Sequence, residues 1–132
     1  MEWTCVIHFS GRELPLRLAA EPLGGDWLFT LQGGDAPHIG TAVMAVPRPS
    51  LTGSGAGSCT SSVLNLPGHL DELPCRAVAE KLCRALGRTV VCTGGIHIED
   101  ATPECLSAVT EAVGRLTESA LRDLLSGNSL TS

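Results

Sequence analysis

Alternating apolar and polar positions in the first third of the chain predict a series of short β-strands. Turn residues separate four runs of β-favouring residues, at 3–9, 14–20, 27–31 and 38–46. Pro15 lies inside the second run, so we expect that strand to take an edge position or to start late. These runs predict an antiparallel meander, and residues 63–66 favour a further short strand.

Two later segments have the apolar spacing of amphipathic helices. The first, at about 71–86, ends at Gly87, a typical stop residue. The second, at 103–125, follows Thr102, a good N-cap, and has Pro103 at its first position. Its apolar residues recur at heptad-like steps: Leu106, Val109, Val113, Leu116 and Ala120. This stripe favours packing on the protein's own sheet, and pairing with a second subunit is the alternative.

The segment between the helices is the most distinctive in the chain. Residues 89–92 form an uncharged, β-favouring run, which indicates a strand buried on both faces. Gly94 and Gly95 follow, and we expect them to break the strand or to let another backbone or a ligand approach closely. The next positions alternate, so that His97 and Glu99 share one side of the chain.

The order of elements predicts an α+β fold, with an antiparallel β-sheet of four to six strands and two helices packed on one face. The strand between the helices is expected to join the same sheet. A chain of 132 residues suits a single domain, 1–132, in which 126–132 form a flexible tail.

Composition narrows the classes of partner. The formal net charge is −5 and no cluster of Lys and Arg is present, so nucleic acid and anionic membrane surfaces are poor partners. Aromatic residues make up only 3%, which argues against a platform for stacking bases. No apolar run approaches the roughly 20 residues of a membrane-spanning helix. The six cysteines form no C-x-x-C pair and follow no secretory signal, which favours reduced core cysteines in a cytoplasmic protein.

A glycine- and serine-rich loop at 50–62 is one candidate ligand site. It is too poor in side-chain volume for a core element, but its backbone N–H groups and hydroxyls can cradle a phosphate. It lacks the Gly-Lys-Ser/Thr ending of a P-loop, and Arg48 is the only cation nearby. A loop without a ligand and a loop ordered by an anion or a protein partner both stay open.

His97 and Glu99 are the other candidates, because two ionisable groups on one side of a strand suit metal ligation or acid–base work. A third ligand would have to come from His38, His69 or a cysteine, and nothing in the sequence places one there. The structural alternative is that His97 makes one hydrogen bond that holds the corner. Cys105, in the first turn of the last helix, is interpreted as a buried structural cysteine rather than a nucleophile.

Two motifs carry a family resemblance. The run NLPGH at 65–69 precedes the first helix, and the run GGIHIEDAT at 94–102 precedes the last. Together they resemble the bacterial prenylated-flavin chaperone-like family, which is typified by the small D subunit of gallate decarboxylase. That family is related in fold to the eukaryotic proteasome assembly chaperones 3 and 4.

The resemblance implies a non-catalytic accessory protein that assists a prenylated-FMN-dependent decarboxylase, by delivering the flavin or aiding its maturation. It implies prenylated FMN or FMN as a transient cofactor and the decarboxylase as a partner. The heptad-like stripe predicts a homodimer. Two alternatives stay open: an assembly-chaperone-like interaction domain without a small ligand, and a small metal- or cysteine-dependent hydrolase built on His97, Glu99 and Cys105.

We expect the Gly/Ser loop and the 94–100 corner to meet at one edge of the sheet. The last helix would then point its N-terminal N–H groups into a shared cleft, which favours an anion. Glu99 and Asp100 disfavour an anion, so a protein partner at the same place is the other interpretation. The residues predicted to bind the flavin are Arg48, Ser58, Thr60, Ser61, His69, Gly94, Gly95 and His97.

Overall fold

Six strands and two helices make up the described part of the protein, which comprises residues 1–49, 57–66 and 72–127 of a computed structural model. The elements are β1 (Glu2–Phe9), β2 (Arg12–Leu23), β3 (Asp26–Gly34), β4 (Thr41–Arg48), β5 (Ser58–Asn65), α1 (Glu72–Leu86), β6 (Val90–His97) and α2 (Pro103–Leu125). All six strands belong to one sheet, in the order β1-β2-β3-β6-β4-β5. The α+β fold is confirmed, and so is the inclusion of the strand between the helices in the sheet.

The sheet is mixed rather than wholly antiparallel. Four pairings are antiparallel, whereas β3 and β6 run parallel. The predicted four-strand meander is therefore wrong at its last step, because β6 lies between β3 and β4. The physical reason is burial. Val90 and Cys92 of β6 are fully buried, and a central position gives this strand a neighbour on each side and a helix above it.

Both helices pack on the same face of the sheet. Helix α1 contacts β4, β5 and β6, and α2 contacts β1, β2 and α1. The stripe of α2 belongs to the core between these layers, with only Leu106 exposed among its predicted members. Packing within the protein, rather than on a second subunit, thus accounts for the stripe. The core includes Phe29, Leu14, Leu16, Leu18, Leu31, Leu82, Val109, Val113, Leu116 and Ala120.

Three strands differ from the sequence predictions. Strand β6 continues through Gly94 and Gly95 instead of stopping there. Strand β5 begins at Ser58, inside the segment that was predicted to have too little side-chain volume for a core element. A strand can form there because an edge strand needs little side-chain volume. Strand β2 runs through Pro15 with neighbours on both sides. The proline is tolerated because pairing with β3 begins one residue later, at Leu16.

The helix ends agree with the local sequence signals. Thr102 has an extended backbone, and its hydroxyl oxygen accepts a hydrogen bond from the N–H of Cys105 at 3.2 Å. Gly87 ends α1 with φ +65°, and its N–H bonds to the carbonyl one turn earlier at 2.8 Å. Ser126 was predicted to belong to the flexible tail but caps α2 instead. Residues 128–132 lie outside the described residues. Neither helix has the length and apolar character needed to cross a membrane, as far as the described residues go.

Candidate functional site

The predicted flavin-binding residues that the structure describes lie towards two opposite ends of the sheet. Strand β4 pairs with β5 so that Arg48 is opposite Ser58, and with β6 so that Thr41 is opposite Gly94. Seven steps of extended strand separate Thr41 from Arg48, which corresponds to about 23 Å. The predicted shared cleft is therefore wrong, because the antiparallel pairing of β4 with β6 carries the 94–100 corner away from the Gly/Ser loop.

The end with Arg48, Ser58 and Thr60, here called the loop end, holds a small polar cluster on the side of the sheet that carries no helix. The Nε atom of Arg48 donates a hydrogen bond to Oγ1 of Thr60 at 3.0 Å. Ser61 faces the other way and donates to Oε2 of Glu80 on α1 at 2.6 Å, since successive strand residues point to opposite faces. One exposed cation beside two hydroxyls suits a phosphate, and Ser61 is not part of this cluster.

Gly94, at the opposite end, is required by backbone packing rather than by a ligand. Its φ is +141°, and a Cβ at this position would lie 1.8 Å from the carbonyl oxygen of Leu31 on β3. Gly34 has φ +78°, and its Cβ would lie 2.2 Å from the carbonyl oxygen of His97. The close backbone approach that the sequence indicated for Gly94 is therefore the approach of a neighbouring strand.

Asp35 organises the polar groups around residues 94–100, here called the corner end. Its carboxylate accepts hydrogen bonds from the Arg12 guanidinium and from the N–H of Glu99, the latter at 2.8 Å. The hydrogen bond from Arg12, followed by that from Glu99, lowers the pKa of the Asp35 carboxyl group. Sequence reasoning missed Arg12 and Asp35, because they lie 23 residues apart and only the folded sheet brings them together.

His97 and Glu99 share one side of the chain, as predicted. Nε2 of His97 lies 3.0 Å from Oε1 of Glu99, and the two side chains are 48% and 70% exposed. Within the described ranges, no group of three or more His, Cys, Asp or Glu side chains is arranged to hold a metal ion. Cys105 is fully buried, in agreement with its structural interpretation. His69 lies outside the described residues.

The face of the sheet opposite the helices, here called the open face, carries large apolar side chains. Met44, Val46 and Leu64 are 45%, 42% and 78% exposed. Leu28 and Val91 are half-buried and continue this surface, since Val91 pairs with Leu28 on one side and with Met44 on the other. Uncovered apolar surface of this kind marks sites of interaction. The sequence signal that was missed is the apolar run of β4. A strand that faces water on one side should alternate apolar and polar residues, so successive apolar residues indicate apolar side chains on both faces.

These features define a class of protein: an α+β domain with helices on one face of its sheet and an exposed apolar surface on the other. The chain belongs to the prenylated flavin chaperone LpdD-like domain family, whose sequence profile matches residues 10–125. The resemblance inferred from the NLPGH and GGIHIEDAT motifs is thereby confirmed.

The fold is similar to that of a chain in a crystal structure of a novel chaperone complex for yeast 20S proteasome assembly. The TM-score is 0.52 at 9% sequence identity, and the match covers 89% of this chain and 98% of that chain. At this identity the likeness shows the fold alone. No curated protein matches the chain significantly.

Proposed function

We propose that the protein is a non-catalytic accessory chaperone that assists a prenylated-FMN-dependent decarboxylase, by delivering the flavin or aiding its maturation. Membership of the prenylated flavin chaperone family supports the chaperone role. The observation that carries the proposal is the open face, because an accessory protein needs a surface on which its client docks. A cytoplasmic location is part of this proposal, because the spacing of the six cysteines in the sequence favours reduced thiols.

The apolar residues of the open face form one strip across neighbouring strands. Leu28, Val91 and Met44 are direct neighbours on β3, β6 and β4, and Leu64 lies on the adjoining edge strand β5. Removing such a side chain from water contributes about 1.5–3 kcal/mol when burial is complete. A client that covers this strip therefore gains binding energy that the isolated protein does not use.

Leu64→Glu is the sharpest test of client docking. Leu64 is 78% exposed, so the substitution leaves the core intact while placing a charge on the open face. Leu73→Glu, at a residue of α1 that is 70% exposed, is the matched control on the helix side. We expect the decarboxylase to co-purify with the wild type and with Leu73→Glu, but not with Leu64→Glu. Equal recovery with both variants would show that the client docks elsewhere.

The flavin phosphate is proposed to bind at the loop end, where Arg48 is hydrogen-bonded to Thr60 and opposite Ser58. Val46 lies on the same face of β4, about 7 Å from Arg48 along the strand. A cation that can bind a phosphate thus lies beside an apolar surface that can contact a flat ring. FMN and prenylated FMN each contain both a phosphate and a flat ring. The corner end, with His97 beside acidic Glu99, is proposed to contact protein instead.

Titration of FMN and of prenylated FMN into purified protein tests this placement. Arg48→Ala removes a charge-assisted hydrogen bond worth about 1.5–3 kcal/mol, so the dissociation constant should rise about 10- to 150-fold. His97→Ala and Arg115→Ala, at an exposed arginine of α2, should bind as the wild type does. Unchanged affinity in Arg48→Ala, or a loss confined to His97→Ala, would contradict the placement.

A second candidate function is an assembly-chaperone-like interaction domain without a small ligand. The open face favours it, and so does the similarity in fold to a chain of a proteasome assembly chaperone complex. If the purified protein captures a protein client but binds neither FMN nor prenylated FMN, this function is favoured over flavin delivery.

We also propose that two copies cover each other's open face before the client binds. The stripe of α2 cannot serve for this contact, because it is buried within one chain. Light scattering should give the mass of two chains for the wild type and of one chain for Leu64→Glu. If the wild type has the mass of a single chain at micromolar concentration, the proposed homodimer is contradicted.

A further inference from the structure

Two pairs of cysteine thiols lie near each other, and they differ in their access to solvent. Cys75 on α1 and Cys92 on β6 form one pair, and both are fully buried. Cys83 on α1 lies beside Cys59 on β5, whose sulfur atom is 3.7 Å from Nη1 of Arg84, the next residue of α1; Cys83 is buried while Cys59 is partly exposed. We propose that Cys59 and Cys83 form a thiol modification site that a peroxide oxidises to a disulfide, which ties β5 to α1.

Cys59 and Cys83 lie close together because of how β5 meets α1. Cys59 and Ser61 lie on the helix-covered side of β5, and Ser61 donates a hydrogen bond to Glu80 of α1 at 2.6 Å. Nη1 of Arg84 lies 3.7 Å from Sγ of Cys59. Since Arg84 directly follows Cys83, contacts at adjacent positions hold the start of β5 against the last turns of α1.

The oxidation consists of two balanced steps. The solvent-reachable Cys59 sulfur attacks one oxygen of hydrogen peroxide: an S–O bond forms, the O–O bond breaks, and the hydroxide released takes the thiol proton to become water. The Cys83 sulfur then attacks the sulfenic sulfur of Cys59: an S–S bond forms, the S–O bond breaks, and a second water leaves with the Cys83 proton. The two thiols lose two electrons and the peroxide gains them. The Arg84 guanidinium can donate a hydrogen bond to the departing hydroxide.

The surroundings of the sulfur atoms assign these roles. Burial, with a smaller contribution from Cys59, raises the pKa of the Cys83 thiol to about 11. Cys83 is therefore protonated at neutral pH and shielded from peroxide, so Cys59 reacts first and Cys83 gives up its proton as it attacks in the second step. The hydrogen bond with Cys75, followed by burial, raises the pKa of Cys92 as well. Because both members of that pair are shielded from solvent, they are expected to stay reduced.

Thiol counting on the full-length protein tests the proposal. The untreated, denatured protein should show six thiols, and the protein oxidised briefly with hydrogen peroxide should show four, a loss of two. Digestion with trypsin and a glutamate-specific protease, which cut after residues such as Glu72 and Arg84, places the four paired cysteines on separate peptides. Mass spectrometry without reduction should then find one link, between Cys59 and Cys83.

Two variants and a control complete the experiment. Cys59→Ser and Cys83→Ser should each abolish the link, whereas Cys5→Ser, at another partly exposed cysteine, should leave it intact. Cys59→Ser carries the test if the buried Cys83→Ser variant fails to fold by circular dichroism. Six thiols remaining in the oxidised wild type, or a link between Cys75 and Cys92 in its place, would overturn the proposal.

Discussion

Replacing Gly94 by alanine should be among the most damaging additions of a single methyl group to this protein. The new Cβ would lie 1.8 Å from the carbonyl oxygen of Leu31 and 3.0 Å from its backbone nitrogen. Both atoms belong to the backbone of β3 inside the sheet, so they cannot swing aside as a flexible side chain would. Gly94 also has φ +141°, a backbone conformation that residues with a Cβ rarely adopt.

Two costs add in this variant. A non-glycine residue in a sparsely populated backbone region costs about 1–3 kcal/mol. Forcing packed atoms apart costs a further ~1–3 kcal/mol. We therefore expect Gly94→Ala to lower the free energy of unfolding by about 2–6 kcal/mol, out of a total of about 5–15 kcal/mol for a folded domain.

Urea denaturation of three alanine variants separates these costs. Gly24 has φ +62° but open space around its Cβ position, so Gly24→Ala should lose only about 1–2 kcal/mol. Gly114 lies in the exposed middle of α2 with open space, so Gly114→Ala should gain about 1 kcal/mol. The reasoning is refuted if Gly94→Ala is as stable as Gly24→Ala, since the strand contact would then carry no cost.

Three further predictions concern the helix cap, the core and the corner. Thr102→Ala should lower the free energy of unfolding by about 1 kcal/mol while Thr102→Ser stays near the wild type, as thermal unfolding will show. Leu82→Ala, at a fully buried position, should cost about 2–5 kcal/mol in urea denaturation, and a cost below 1 kcal/mol would contradict the packing described. Because the pKa of Asp35 is lowered in the folded protein, its contribution to stability is present above its ordinary value of 3.8 and is lost as the pH falls below that value. The difference in melting temperature between the wild type and Asp35→Asn should accordingly narrow below pH 3.8, and a constant difference would contradict the assignment.

The helices could be predicted closely because their signals are local. Thr102 and Pro103 mark the start of α2, and Gly87 marks the end of α1, within a few residues of the groups they cap. The apolar stripes likewise repeat within each helix. Such signals need no knowledge of the rest of the fold, which is why the predicted and observed bounds of α2 coincide.

The candidate site was predicted in its parts but not in its assembly. Arg48 and Thr60 are in contact, and His97 and Glu99 are in contact, so each local cluster exists. The clusters lie at opposite ends of the sheet, however, because β6 pairs antiparallel with β4. Arg12 and Asp35 join the corner end only through the folded sheet.

The sequence by itself determined the type and order of most elements, where α2 begins, and the family to which the chain belongs, but not the bounds of β5 and β6. Only the tertiary structure decided that β6 lies between β3 and β4, that Gly94 accommodates a neighbouring backbone, and that one apolar face of the sheet stays uncovered. The physical reason is that backbone hydrogen bonds between strands are the same for any pair of neighbours. Strand order and direction therefore depend on how the whole chain buries its apolar surface against α1 and α2, which no single segment records.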